Sequence, residues 1–234
     1  MLGRLPFFHA RSVDAIPNLA LPDEAPASSS RSKARPTMAD DHAHAIDPND
    51  ARLVEVRVAE DILPELRETA VGDLLRWHNL PNSRASMPAS THRARLLVSM
   101  CMDHRADLVI PNEFAYVLRS AGGTLRDSDF EVQYAVAVGG VTEIALLAHT
   151  DCGMVGVSGK RAKFVEGLVA RGGCTPDFAN NEFDRFSTVY EQHDVIAFVV
   201  GECRRLEAML PSLRAIPLLY RVADDKLLQI RTNP

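Results

Sequence analysis

The chain has 234 residues, 46% of them hydrophobic, enough for one globular domain with a real core plus extra segments. A formal net charge of -5 argues against a nucleic-acid footprint or an anionic-membrane footprint, and no apolar run is long enough to span a bilayer. Four cysteines (Cys101, Cys152, Cys174 and Cys203) are too few and too scattered for a disulfide scaffold. If some of them work as thiolates, a reducing, cytoplasmic setting is expected.

Residues 1–50 read as a disordered extension, because the Pro/Ser-rich, aliphatic-poor stretch at 22–32 cannot repay its ordering entropy by burial. The basic start, Met1 to Phe8, lacks a continuous apolar region and a cleavage site, so a secretory signal is not expected. His42 and His44 read as a surface pair with no third ligand beside them. Residues 51–91 are expected to form a helical arm and connector. Within it, 59–77 predicts one or two amphipathic helices, with Ile62, Leu63, Leu66, Val71, Leu74 and Leu75 on one face and Pro64 in an early turn. Residues 81–91 are rich in turn formers.

From residue 92 to 234 strands and helices alternate. The first strand is expected at 95–100, the second at 115–119, a helix at 127–138 ended by Gly139 and Gly140, and the third strand at 143–148. Helices follow at 178–192 and 195–210, the latter stopped by Pro211. Strands at 216–221 and 227–231 flank the turn Ala223-Asp224-Asp225-Lys226 and close one edge. This alternation predicts an α/β fold with three layers: a mostly parallel sheet, covered by helices on both faces. The expected strand order is 2-1-3-4, plus an antiparallel edge strand.

In such sheets ligands bind beyond the carboxyl ends of the strands, where strand order reverses. Cys101 ends the first strand, and His149 and Cys152 end the third, so all three converge on that crevice. Two thiolates and one imidazole suit zinc, and three protein ligands leave a fourth position for water. The bland reading is a pair of buried cysteines, and a second alternative is a structural zinc with Asp103 as a permanent fourth ligand. Cys174, in a glycine loop, and Cys203, on a helix, read as non-ligands. Gly122 reads equally as a loop residue needing positive φ or as a point of close approach to the pocket.

The run Cys101-Met102-Asp103-His104-Arg105 gives C-x-D-x-R, and His149-Thr150-Asp151-Cys152-Gly153 gives H-x-x-C-G. Together they resemble the zinc-site motifs of the β-class carbonic anhydrases. The likeness extends through Arg119-Ser120-Ala121-Gly122-Gly123, similar to that family's R-N-A-G segment, and covers residues 92 to 231. It implies zinc-dependent reversible hydration of carbon dioxide to bicarbonate through zinc-bound hydroxide, and a homodimer or higher homo-oligomer. Matched residue by residue, it makes Cys101, His149 and Cys152 the zinc ligands and Asp103 with Arg105 the catalytic pair beside the metal-bound water. Tyr116, Ala121 and Tyr134 fall where the family places pocket residues, some reaching across a subunit interface.

Three positions depart from the family pattern. Ser120 stands for the asparagine of R-N-A-G, Ala148 for a glycine, and His92 for a glutamine nine residues before the first zinc cysteine. The last leaves room for a hydrolase of COS or CS2, whose linear shape matches that of carbon dioxide. A non-catalytic zinc protein remains the reading from a different class.

Overall fold

A computed structural model describes residues 46–47 and 50–232. Its sheet has six strands, β1 (Leu53–Val54), β2 (Leu96–Cys101), β3 (Ala115–Ser120), β4 (Glu143–His149), β5 (Arg214–Arg221) and β6 (Lys226–Ile230). They lie in the order β1-β6-β5-β4-β2-β3. The neighbours β3, β2, β4 and β5 are parallel, whereas β6 pairs antiparallel with β5 and β1. The expected order 2-1-3-4 with an antiparallel closing strand is therefore present, with the two-residue β1 added outside it.

Burial explains the arrangement. β2 is buried along its whole length, as its unbroken apolar run requires of a strand covered on both faces. β3, at the far edge, alternates between half-buried and exposed positions. Two cores lie on opposite faces of the sheet. One gathers Leu97, Ile144, Leu146 and Leu219 with Val132 and Ala135 of α2 (Asp129–Ala137) and with Ile196, Val199 and Leu206 of α5 (Val195–Met209). The other gathers Leu96, Val98, Leu147 and Leu218 with Val71, Leu74 and Leu75 of α1 (Ala70–Asn79). The molecule is a three-layer α/β structure.

Local chemistry sets the ends of the helices. Thr69 Oγ1 accepts from the Gly72 amide at the start of α1, and Asp194 Oδ1 accepts from the Ile196 and Ala197 amides at the start of α5. Gly140, at φ 70, follows α2 as expected.

The structure differs from the sequence reading in two places. Residues 59–77 hold two short 3-10 turns before α1 begins at Ala70, because the backbone is extended at Ile62 and Leu63 and Pro64 opens the second turn. The apolar face of α1 lies on its own chain's sheet. The second difference is α3 (Arg161–Gly172), in a stretch to which the sequence reading assigns no element. It packs against α4 (Pro176–Tyr190) and buries only Gly167, so its sequence carries no strong apolar stripe. The extension expected at residues 1–50 lies almost entirely, and the pair His42 and His44 wholly, outside the described residues. Among the described residues no helix is long and apolar enough to cross a membrane.

Candidate metal centre

The carboxyl ends of β2 and β4 are adjacent, with Met100 level with Leu147. One step further, β2 delivers Cys101 and β4 delivers His149, and the turn after β4 brings Cys152 back toward them. All three side chains are buried, and Cys101 Sγ, a ring nitrogen of His149 and Cys152 Sγ lie within 4.8 Å of one another. Among the described residues this is the one group of three or more histidine, cysteine or acidic side chains placed to share an ion.

The histidine is oriented for the task. Its Nδ1 lies 2.8 Å from the Thr150 carbonyl oxygen, which can only accept, so Nδ1 carries the proton and Nε2 keeps a lone pair. Nε2 is buried with no hydrogen-bond partner, an expensive arrangement for a polar atom unless a cation takes the lone pair. The sulfurs point the same way. Cys152 pulls the Cys101 thiol down to about 4, while Cys101 and burial push the Cys152 thiol up, so the pair keeps one proton between them. A dication lets both ionise together. Two thiolates and an imidazole at this spacing fit zinc with one coordination position left for solvent.

Asp103 stands two residues beyond Cys101, in a turn. Arg105 grips it with Nε donating to Oδ1 at 3.0 Å, Nη2 to Oδ2 at 2.6 Å, and the backbone amide to Oδ1 at 2.9 Å. This contact keeps the Asp103 carboxyl well below the usual carboxylate range. Arg105 Nη2 also donates to the Asp151 carbonyl oxygen at 3.2 Å, so one guanidinium joins the turn after Cys101 to the turn that carries Cys152.

Two further residues, to which the sequence reading gave no role, shape the site. Arg119, at the end of β3, donates to the carbonyl oxygens of Cys101 and Asp103, both at 3.3 Å, and of Ala106 at 2.9 Å. It straps the C-x-D-x-R turn from outside. Gln192, 3% exposed, exchanges backbone hydrogen bonds with Met154 and Gly156 and donates its side-chain amide to the Gly122 carbonyl oxygen. Gly122 stands at φ 66, and a Cβ there would lie 2.4 Å from Gln192 Nε2. It needs both the left-handed conformation and the close approach, and what it approaches is Gln192 and Met154. The signal for Arg119 was present, since it opens the segment similar to R-N-A-G, but its partners are distant carbonyls. Gln192 lies in an otherwise plain stretch.

The pocket candidates divide. Ala121 and Gly122 follow directly on β3, whose last residue, Ser120, is level with Cys101. Tyr116 pairs in register with Leu97, four residues before the strand end, with its ring against Gly139. Tyr134 sits on the outer face of α2 beside Phe130, with ring centroids 6.3 Å apart. Within one chain these two tyrosines are on the surface. His92 is exposed, before β2.

No family model matches the chain. Over 108 residues it is 32% identical to a carbon disulfide hydrolase of Acidianus sp. (strain A1-3), and over 107 residues 30% identical to one of Saccharolobus solfataricus. Each alignment covers 44% of this chain and 48% of the relative, so the chain spans about half the length of the curated relatives it matches. Among solved structures, a carbonic anhydrase from Glaciozyma antarctica is similar with a TM-score of 0.49 and 22% identity, covering 74% of this chain and 98% of that one.

Proposed function

We propose that the chain is a zinc-dependent lyase that hydrates carbon dioxide reversibly to bicarbonate and a proton. The observation that supports this reading is a buried Cys-His-Cys donor set beside a carboxylate that arginine holds ionised. A zinc ion held by Cys101, His149 and Cys152 would supply an activated water nucleophile. The chain's residues then orient it. Asp103, ionised, is an acceptor only, so it takes the nucleophile's O–H and leaves a lone pair aimed at the substrate carbon. Arg105 holds Asp103 in that role, and Arg119 fixes the backbone beneath it. Two thiolates offset the dication's charge, so we expect the rate to rise into alkaline pH.

A second reading keeps the same nucleophile and exchanges the substrate. The curated relatives, matched over about half their length, are carbon disulfide hydrolases, and His92 replaces the glutamine expected for carbon dioxide. CS2 or COS would then be attacked at carbon, with sulfide released. The structural-zinc reading needs Asp103 turned onto the metal, and both its oxygens are engaged by Arg105. Stopped-flow CO2 hydration on metal-assayed protein, with sulfide release from CS2 and COS in parallel, decides among the three. We expect one zinc per chain and fast hydration. Sulfide release without hydration makes the chain a hydrolase, and stoichiometric zinc with neither activity makes the site structural.

The same reading includes a homodimer or higher homo-oligomer. The edge strand β3 exposes Tyr116 and Val117, and the adjoining face of α2 exposes Phe130, Tyr134 and Val138, at 73%, 53% and 66%. A second copy covering this face would bury the patch and carry Tyr116 or Tyr134 toward its neighbour's site. Sedimentation at micromolar concentration should give a dimer or larger; a monomer rejects this part of the proposal.

A further inference from the structure

Residues 106–110, which follow Arg105, have no regular structure, yet buried side chains from distant elements cap two of their amides. The Asp107 amide donates to Tyr220 Oη at 3.4 Å, and the Val109 amide donates to His78 Nδ1 at 3.2 Å. His78 lies in α1 and is 3% exposed; Tyr220 lies in β5 and is 2% exposed. Both are tied to the turn between β5 and β6. His78 Nε2 donates to the Asp225 carbonyl oxygen at 2.8 Å, and the Tyr220 hydroxyl donates to Asp225 Oδ1 at 2.9 Å. Asp225 stands at φ 55, a conformation costly for a non-glycine residue, and here it presents both oxygens to the network. Tyr220 also reaches the other ligand-bearing turn, because its carbonyl oxygen accepts from the Thr150 amide.

The donors fix the state of the imidazole. An amide N–H pointing at Nδ1 requires a lone pair there, and a carbonyl at Nε2 requires a proton there, so His78 is the neutral Nε2–H tautomer. A second proton, on Nδ1, would face the Val109 N–H and break that contact. We infer that His78, with Tyr220 and Asp225, is the device that positions the Asp103–Arg105 turn, and that it works only while the imidazole is neutral. The groups around His78 are of both signs. Asp225 favours the charged form, whereas Arg84, bonded to the His78 carbonyl oxygen, and Lys226, bonded to the Asn79 carbonyl oxygen, oppose it. Burial dominates and holds the His78 pKa below its ordinary value. The Tyr220 hydroxyl, raised by burial, stays protonated throughout this range.

The inference rests on the proposed function only in that Asp103 matters to the reaction, and its test does not read the reaction. Hydrogen exchange of the full chain is followed by peptide mass from pH 4.5 to 7.5, corrected for the intrinsic pH dependence, with metal content assayed in parallel. In the wild type, peptides spanning 105–110 should exchange about tenfold faster at the acid end, the loss of one hydrogen bond, while α2 peptides keep their protection. His78→Gln offers the same acceptor and donor without a titratable group, so the acid step should vanish. Tyr220→Phe removes only the Asp107 contact and the Asp225 donor, and should speed exchange at Asp107 at every pH. A Gln variant that retains the acid step, or a Phe variant with wild-type protection at Asp107, overturns the inference.

Discussion

The two turns that carry Cys101, His149 and Cys152, the proposed metal ligands, are built by different means. The turn from His149 to Val155 is held largely by backbone: Thr150 donates to Tyr220, Val155 to Cys152, and Met154 and Gly156 exchange bonds with Gln192. The turn from Cys101 through Val109 has two backbone bonds, Met102 to Ser120 and Ala106 to Asp103, and is otherwise held by side chains, namely Arg105, Arg119, Tyr220 and His78. Backbone contacts survive substitution, whereas each side-chain contact can be deleted singly. The first turn is thus a fixed seat for His149 and Cys152. The second is an adjustable mount for Cys101 and for the Asp103 carboxylate.

The comparison breaks most sharply at the ligands themselves. Cys152→Ser should remove stoichiometric zinc and bring activity to background, read by elemental analysis and stopped flow, because a serine hydroxyl is a poor substitute for a thiolate on zinc. If zinc stays bound, the seat is not where we place it. Next is the adjustable turn. Asp103→Asn should keep zinc but lose about 10²-fold or more in turnover, since the amide presents a donor where an acceptor is required. Near-wild-type turnover removes Asp103 from the mechanism. Arg119→Met should keep zinc as well and lower turnover about tenfold through the freed carbonyls, with the melting temperature moved by only a few degrees.

How much of this was legible depends on where the information is stored. Buried parallel strands write themselves as unbroken apolar runs, so the order of β3, β2, β4 and β5 and the convergence of Cys101, His149 and Cys152 could be read directly. Helix α3 could not, because it lies on the rim and buries almost nothing. The strand at Leu53–Val54 is two residues long and exists only by pairing with Gln229 and Ile230. The straps were the least legible part. Arg119, Gln192 and His78 act on main-chain atoms far away in sequence, and nothing in a neighbouring residue betrays such a partner. His78 even sits in an amphipathic stretch, where it passes for one more interior side chain.

A smaller effect is expected where the fixed seat does use a side chain. Thr150 Oγ1 accepts from the Val222 amide at 2.9 Å, joining that turn to the end of β5. Thr150→Val keeps the shape and leaves the amide unpaired, at a cost of about 1 kcal/mol, hence roughly 2 to 4 °C in melting temperature by calorimetry. Zinc should remain, because the carbonyl that orients His149 belongs to the backbone. Loss of metal would mean that the seat depends on side chains after all.

The least effect of all is expected from the pH dependence of the Asp103–Arg105 pair. The arginine lowers the Asp103 pKa below its unfolded value, so the pair's contribution to stability is complete above the ordinary carboxylate range and fades only as pH falls through the folded value. Between pH 5.5 and 8.5 the carboxylate is ionised in both states and binds no proton on unfolding. The difference in melting temperature between wild type and Asp103→Asn should therefore stay constant across that range. His78 behaves otherwise. Its folded pKa is also depressed, but from an unfolded value near 6.5, so its contribution is present above that value and is lost as pH falls toward the folded one. The wild type minus His78→Gln difference should shrink steadily below about pH 6.5. Measured side by side, a flat line for the first pair and a slope for the second would place the acid sensitivity of the adjustable turn in its anchor. A slope for Asp103 would move it into the site itself.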